Sequence, residues 1–542
     1  MPETLDETYE RTLREINKAD SELAHRLFQC VAVASRPLRV EELAEFLAFD
    51  FSARPIPQFR EDWHPEDPVE AVLSTCSTLL SLVDVYDSQV IQFSHFSVKE
   101  FLMSSRFAEK RDPSSCRYHI SMTPAHTLVA QACLGILWHL DMNVTRDCLR
   151  KFPLAKYAAE QLVKHARFEG VSENVEEGLK QLFDGSKPHL AVWLWIYNPF
   201  RKPRAERPLP PPGTALHYAA FCGFHAIVKF LAIEHSEDVH SRVVDGGSLG
   251  NSTPLDLASR EGHVEAARVL VEHGADVTAQ DEDGLTPLHQ LSRSPPGKVD
   301  VARFLVEHGA DVTAQDNHGS TALHQAVRNG SVDLARLLIE HSAGLETQDK
   351  KGWTALHLAV AKGSVDLARL LVQHGADVNA QDNDGSTALH RAVMQGSVKV
   401  ARFLVEHGAD TTARDHSGWT PLNWTLQIES VDLARLLIEH GTDMAAPDNN
   451  GWTPLHLAVQ RGRLDFARLL IEHGADVTAR DNNGWTPLHR AVQQGSVNLA
   501  RLLVEHGADV IAQDDDLASL MLRAVLNGSV GLGRSPSSTA RT

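Results

Sequence analysis

The sequence predicts a mainly α protein: a helical N-terminal region followed by an α-solenoid. Three observations predict it. A block opened by threonine returns every 33 residues through the second half of the chain, the apolar residues of each block fall at helical spacing, and Glu22–Ala34 already reads as an amphipathic helix near the N-terminus. The opening residues are Thr214, Thr253, Thr286, Thr321, Thr354, Thr387, Thr420, Thr453 and Thr486, with Ser519 in a damaged tenth copy; the period is stretched only after Thr214 and Thr286.

Within one block, Thr354 followed by Ala355-Leu356-His357 reads as a helix start, because a threonine hydroxyl caps a first turn. Where Pro follows Thr, as in Thr453-Pro454, it sits at the first helical position, where its missing N–H costs nothing. Leu356, Ala359 and Val360 make one apolar stripe, and a glycine such as Gly363 or Gly396 ends the helix. The second helix, Val365–His374, carries Leu367, Leu370 and Leu371 and stops at Gly375. Asp382-Asn383-Asp384-Gly385 is turn chemistry, so a projecting loop joins one block to the next. With Thr-Pro-Leu-His at 453–456 and 486–489 and His-Gly-Ala-Asp at 473–476, the block closely resembles the ankyrin repeat family over about residues 212–533. The resemblance implies stacked helix pairs with loops at right angles, and protein binding on a concave face as the usual activity.

Composition narrows the class. A hydrophobic content of 43% is ample for a core, and a net charge of −19 disfavours nucleic acid or an anionic membrane as a general partner. Cys30, Cys76, Cys116, Cys133, Cys148 and Cys222 are scattered, which fits reduced thiols better than disulfides or a zinc site. No signal peptide is visible, and the apolar run Leu128–Leu140 is too short to span a bilayer and is broken by Gln131 and His139. The expectation is an intracellular protein, cytoplasmic or nuclear.

In the N-terminal region, Val40–Phe49 reads as a second helix after Arg36-Pro37-Leu38, Asp50–Asp67 as a Pro-rich loop and Val69–Ser81 as a third helix. Two short strands, Leu82–Tyr86 and Val90–Phe93, and a helix opening at His95 follow. Three helices and a hairpin make a winged-helix pattern. Leu5–Arg11, the Arg36–Leu43 block and Phe93–Leu102 resemble the part of fungal NACHT–ankyrin proteins that follows the nucleotide-binding module. That family comprises NOD-like signalling NTPases whose repeats act as the sensor.

The departure from the family decides the chemistry. No G-x-x-x-x-G-K-[ST] occurs; Gly297-Lys298-Val299 lacks both spacing and hydroxyl, so nothing here cradles a triphosphate. The expectation is no enzyme, no cofactor, no metal and no small-molecule substrate, with the chain beginning where a NACHT module would end. The domain reading is a NACHT-associated remnant at 1–20, a winged helix at 21–112, a helical connector at 113–205, a Pro-rich linker at 206–213, the repeats at 214–533 and a disordered tail at 534–542. Connector helices are expected at Met122–Leu140, Pro153–His165, Glu173–Phe183 and Leu190–Tyr197, with inserted loops at Asp245–Gly250 and Ser294–Lys298.

Most of the 29 histidines fall at two repeat positions, late in each helix pair or at the first-helix start, where they read as structural. Gly246–Gly250 matches a nucleophile elbow by letter but stands in an inserted loop. The third winged-helix segment contains no Arg or Lys, which argues against DNA reading. His95 reads as a packed structural histidine, although in the resembled family a histidine here can touch bound nucleotide.

Recognition is expected at positions the repeat leaves free to vary. These are the loop residues Trp353, Trp419, Trp452 and Trp485, the tips Lys350, Lys351, Asn383, Asp384, His416, Asn449, Asn450, Asn482 and Asn483, and the helix ends Arg328, Lys362, Met394, Gln395 and Arg461. The unit at Thr420 departs most, with Asn423, Trp424, Thr425 and Glu429, and should be the weakest joint. The reading is a protein-interaction sensor; a fragment of a signalling NTPase and a winged-helix DNA-binding regulator are the alternatives.

Overall fold

The computed structural model describes residues 5–85, 88–108, 116–197, 206–243, 251–292 and 298–509. The inserted-loop segments at 244–250 and 293–297, the damaged tenth repeat and the expected tail lie outside the described residues. The chain divides into two compact units, Met1–Glu282 and Asp283–Thr542.

The first unit opens with helices α1 (Leu5–Glu15) and α2 (Ser21–Val33), strand β1 (Leu38–Arg39), helix α3 (Val40–Ala44) and strands β2 (Phe49–Asp50) and β3 (Gln58–Phe59). Helix α4 (Pro68–Cys76), strands β4 (Leu80–Val85) and β5 (Ser88–Phe93) and helices α5 (Phe96–Leu102) and α6 (Ser105–Ala108) complete a winged helix. Its antiparallel sheet runs β1-β5-β4, with Ile91 opposite both Leu38 and Leu82.

Three segments differ from the sequence expectation. Helix α4 is shorter than Val69–Ser81: Asp67 caps it by accepting the N–H groups of Val69 and Glu70, but Leu80 and Ser81 leave it to pair with Phe93 and Gln92. Tertiary pairing has overridden helical spacing there. Val40–Phe49 is not one helix; after Ala44 it tightens into a 3-10 turn, Glu45–Ala48, where the buried Glu45 carboxylate accepts the backbone N–H of Leu154. The stretch 50–67 is not all loop, because Phe49 and Asp50 pair with Phe59 and Gln58.

Helices α7 (Met122–His139), α8 (Arg146–Leu149), α9 (Pro153–Ala166), α10 (Ser172–Leu182) and α11 (His189–Ile196) form the connector, and α7 packs against α2, α9, α10 and α11. Gly135 of α7 lets the β2–β3 hairpin close in: a Cβ there would stand 2.7 Å from the Phe49 ring and from the Pro57 carbonyl. Inside the connector, Tyr157 and His126 both hydrogen-bond the buried His165, whose pKa burial pushes down to about 3. The first two repeats, Ala215–Cys222 with His225–Glu234 and Pro254–Glu261 with Val264–Glu272, belong to this unit; α10 packs on His225–Glu234, with Phe183 and Phe224 edge to face at 6.0 Å.

The second unit is built from repeated helix pairs, Ala355–Ala361 with Val365–Gln373 being typical. First helices pack on first helices and second on second. The expected stripe is the core: Leu356, Ala359, Val360, Leu367 and Leu371 are at most 1% exposed, and fully burying each leucine contributes about 1.5–3 kcal/mol. One pair cannot bury this stripe alone, so its neighbours must.

Candidate protein-binding face

Each unit is pinned by the opening threonine and the histidine three residues later. In the Thr387 unit the backbone N–H and hydroxyl of Thr387 meet His390 Nδ1 at 3.1 and 2.9 Å, and Nε2 reaches the Trp419 carbonyl at 3.1 Å. Because Nδ1 accepts a backbone N–H, the proton sits on Nε2 and is donated to the next unit. His324, His357 and His456 repeat this link to the carbonyls of Trp353, Ser386 and Trp485. Burial lowers the pKa of all four rings. Seven late-helix histidines bond the carbonyl four residues back, as His374 does to Leu370 at 2.8 Å. His95 is exposed rather than packed; its Nδ1 accepts the Ser97 N–H at 3.2 Å and caps α5.

Each loop tip is held by an aspartate, buried at Asp382, Asp415, Asp448 and Asp481 and half-buried at Asp349. Asp349 Oδ1 accepts the N–H groups of Lys351 and Trp353 at 2.8 and 2.9 Å, and Asp382, Asp415, Asp448 and Asp481 do the same in their own tips. Successive tips are then stitched by backbone: Lys350 N–H to the His318 carbonyl at 2.8 Å, Asn383 to Lys351 at 3.1 Å and His416 to Asp384 at 2.9 Å. Gly352 (φ 75°) must be glycine, because a Cβ would lie 2.5 Å from the Asn383 nitrogen. Gly352→Ala is expected to cost about 2 kcal/mol or more in urea unfolding, from left-handed strain and this clash together.

The candidate residues divide by what they touch. Asn383, Asn449 and Asn482 are exposed, but their side-chain amides donate to the carbonyls of Lys350, His416 and Asn449 at 2.9, 2.9 and 3.1 Å, so they staple neighbouring tips. Lys362 likewise bonds the Arg328 carbonyl at 2.8 Å. The indoles of Trp353, Trp419, Trp452 and Trp485 are half-buried. Arg391 lies over Trp353, Trp424 packs edge-on against Trp419 at 5.0 Å, and Arg490 lies over both Trp452 and Trp485. Asp384 accepts from Arg391 at 3.0 Å, and Met394 is half-buried beside the same arginine. Lys350, Lys351, His416, Asn450, Asn483, Arg328, Gln395 and Arg461 are exposed along the tips and first-helix ends.

Sequence reasoning missed Arg391 and Arg490, whose signal is a spacing of nine from Asp382 and Asp481. In the Thr420 unit Asn423 makes no histidine link, and Thr420 Oγ1, Asn423 Oδ1 and Asn423 Nδ2 are buried without partners. Glu429 occupies the helix-ending glycine position at φ 61°. Its ion pair with Arg463 is about half exposed and so worth little. Glu429→Gly is expected to stabilise the unit by about 1 kcal/mol, read as a raised melting midpoint. Among the described residues no helix is long and apolar enough to cross a membrane, and no group of three His, Cys, Asp or Glu could hold a metal ion.

Comparison with known proteins agrees with this architecture. The family description "Ankyrin repeats (3 copies)" matches in overlapping segments from residue 192 to residue 514, and "GPI inositol-deacylase, winged helix domain" matches residues 10–111. The azaphilone pigments biosynthesis cluster protein L of Monascus ruber is 29% identical over 295 residues, 51% of this chain and 60% of that protein. The human palmitoyltransferase ZDHHC13 is 41% identical over 76 residues, 14% of this chain and 11% of its own. Among solved structures, the ankyrin repeat domain of Bcl-3 is similar at 29% identity, covering 47% of this chain and 99% of that one with a TM-score of 0.38. The chain therefore spans less than two thirds of the length of these relatives, 60% of the first and 11% of the second. With helix pairs, tip ladder and family match in agreement, the chain belongs to the ankyrin repeat family and carries an N-terminal winged-helix domain.

Proposed function

We propose that this chain is a protein–protein interaction scaffold or sensor that binds a protein partner along the loop tips and first-helix ends, the concave side in ankyrin architecture. It acts inside the cell, in NOD-like signalling, and performs no catalysis itself. One observation carries the reading: the backbone ladder between tips holds exposed side chains of changing identity, Lys350, Lys351, His416, Asn450 and Asn483, in fixed order. A row of rigidly spaced, chemically varied side chains suits recognition, because little conformational entropy is lost when a partner docks.

Affinity capture with the full chain tests it. Charge reversal at Lys350 and Lys351 with Asn450→Arg should abolish capture of a specific partner, while Arg435→Glu on an exposed second-helix face should not. Capture that ignores the tips but depends on Arg435 contradicts the reading.

A further inference from the structure

The loop tips contain a filled guanidinium site and an unfilled copy of it. At the filled site Arg490 Nη2 donates to Asp481 Oδ2 at 2.6 Å, and its guanidinium lies 4.6 Å from the ring centres of both Trp452 and Trp485. Asp481 Oδ1 is held by the N–H groups of Asn483 and Trp485, each at 2.9 Å. In other tips the residue nine positions after the aspartate also donates to Oδ2: Gln325 to Asp316 at 3.2 Å, Arg391 to Asp382 at 2.9 Å and Trp424 to Asp415 at 2.9 Å.

Asp448 breaks this pattern. The residue nine positions on is Leu457, which has no donor and is 4% exposed. Asp448 is itself 6% exposed, its Oδ1 is fixed by Asn450 and Trp452 N–H groups at 2.8 and 2.9 Å, and among the described residues no donor meets its Oδ2. Its flanking loop residues are Trp419 and Trp452, which stand one repeat before the Trp452 and Trp485 that enclose Arg490. The aspartate, its two N–H donors and the two flanking tryptophans therefore recur at Asp448, where Arg490 already covers part of Trp452 and Trp424 packs against Trp419. The tip of Asp349, whose ninth residue is Leu358, is not equivalent: the loop before it carries Ser320 instead of tryptophan, and Lys351 of the same tip lies over the Trp353 ring.

We propose that the Asp448 position, between Trp419 and Trp452, is a recognition slot for an arginine side chain of the protein partner. The proposal rests on the reading of the tip face as the binding face. A largely buried carboxylate with one oxygen that no protein donor meets favours a cation beside it, and a cation held against indole gains further attraction there. Arginine suits the slot better than lysine, because its planar fork stacks on an indole while donating to a carboxylate, as Arg490 does within this chain.

The test titrates the full chain with a blocked Gly-Arg-Gly peptide and follows the tryptophan indole N–H signals by NMR. Gly-Arg-Gly should shift Trp419 and Trp452 saturably, Gly-Lys-Gly should bind at least several-fold more weakly, and the uncharged citrulline peptide should shift neither. Leu457→Arg should fill the slot from within and abolish the response. Asp448→Asn keeps the Oδ1 acceptor and should weaken binding at least about tenfold with an unchanged melting midpoint. Absence of a saturable arginine response, or an equal response in both variants, overturns the slot. Partner capture lost in the tip variants without any arginine response sinks the slot and leaves the face standing. An arginine response alongside capture indifferent to the tips does the reverse.

Discussion

Replacing Asn423 by histidine is expected to stabilise the second unit by about 2–4 kcal/mol, the largest gain any single substitution in the array should give. Thr420 Oγ1 and both polar atoms of Asn423 are buried without partners, and each such group costs about 1–3 kcal/mol. A histidine restores two bonds that every regular neighbour makes: its Nδ1 with the opening threonine and its Nε2–H with a carbonyl 29 residues on, here that of Trp452. The reciprocal change, His390→Asn, breaks a working link and should cost a similar amount. Urea unfolding followed by tryptophan fluorescence reads both, and native-state hydrogen exchange should show slower exchange around 420–455 in the Asn423→His variant. An unchanged midpoint in Asn423→His would mean that this joint is not limited by its orphaned polar atoms.

Acid is expected to weaken the repeats well before carboxylates titrate. His324, His357, His390 and His456 have folded pKa values lowered from 6.5, first because burial penalises the imidazolium, against the opposing pull of the carbonyl each one bonds. A depressed folded pKa means that the unfolded chain binds protons first. Their stabilisation is thus complete above about pH 6.5 and is lost as pH falls through the folded values. His217 in the first unit is lowered from 6.5 to about 4, a difference of about 3 kcal/mol between neutral pH and acid for that group, at about 1.4 kcal/mol per pKa unit. The first unit also contains groups of opposite sign. Burial raises Glu45 to about 8 and Asp256 to about 7, and such carboxyls lose stabilisation as pH rises. Chemical unfolding from pH 7.5 to 4.5 should therefore show a steep monotonic loss in the second unit, read through Trp353, Trp419, Trp452 and Trp485. A flat profile over that range would contradict the neutral Nε2–H assignment.

What was legible in the sequence follows from where each signal is stored. Helix starts, glycine stops and the apolar stripe repeat with the period, so Leu356, Ala359, Val360 and Gly363 sit where spacing places them. The threonine–histidine pair was legible as structural, with the histidine able to bond the threonine hydroxyl and a neighbouring loop, but which carbonyl of the next unit it reaches only stacking decides. Asn383, Asn449 and Asn482 look like free tip residues in sequence because their partners lie 33 positions back, on a loop that only stacking brings near. The same holds for Arg391 and Arg490, which sit on helices while the aspartates they bond sit in loops. In the winged helix, β1 is two residues long and exists only because Leu38 and Arg39 meet Ile91 and Val90, a pairing without local periodicity. Asn423, by contrast, was visible as a departure from its neighbours, and the buried orphan atoms supply its physical meaning.

Site-specific photocross-linking tests the central claim most directly. A benzophenone side chain placed at Asn450, on the exposed tips, should capture the protein partner in cells, while the same probe at Arg435, exposed on a second helix, should capture none of it. Equal capture from both positions, or capture from Arg435 alone, would contradict a partner-binding face built from loop tips and first helices.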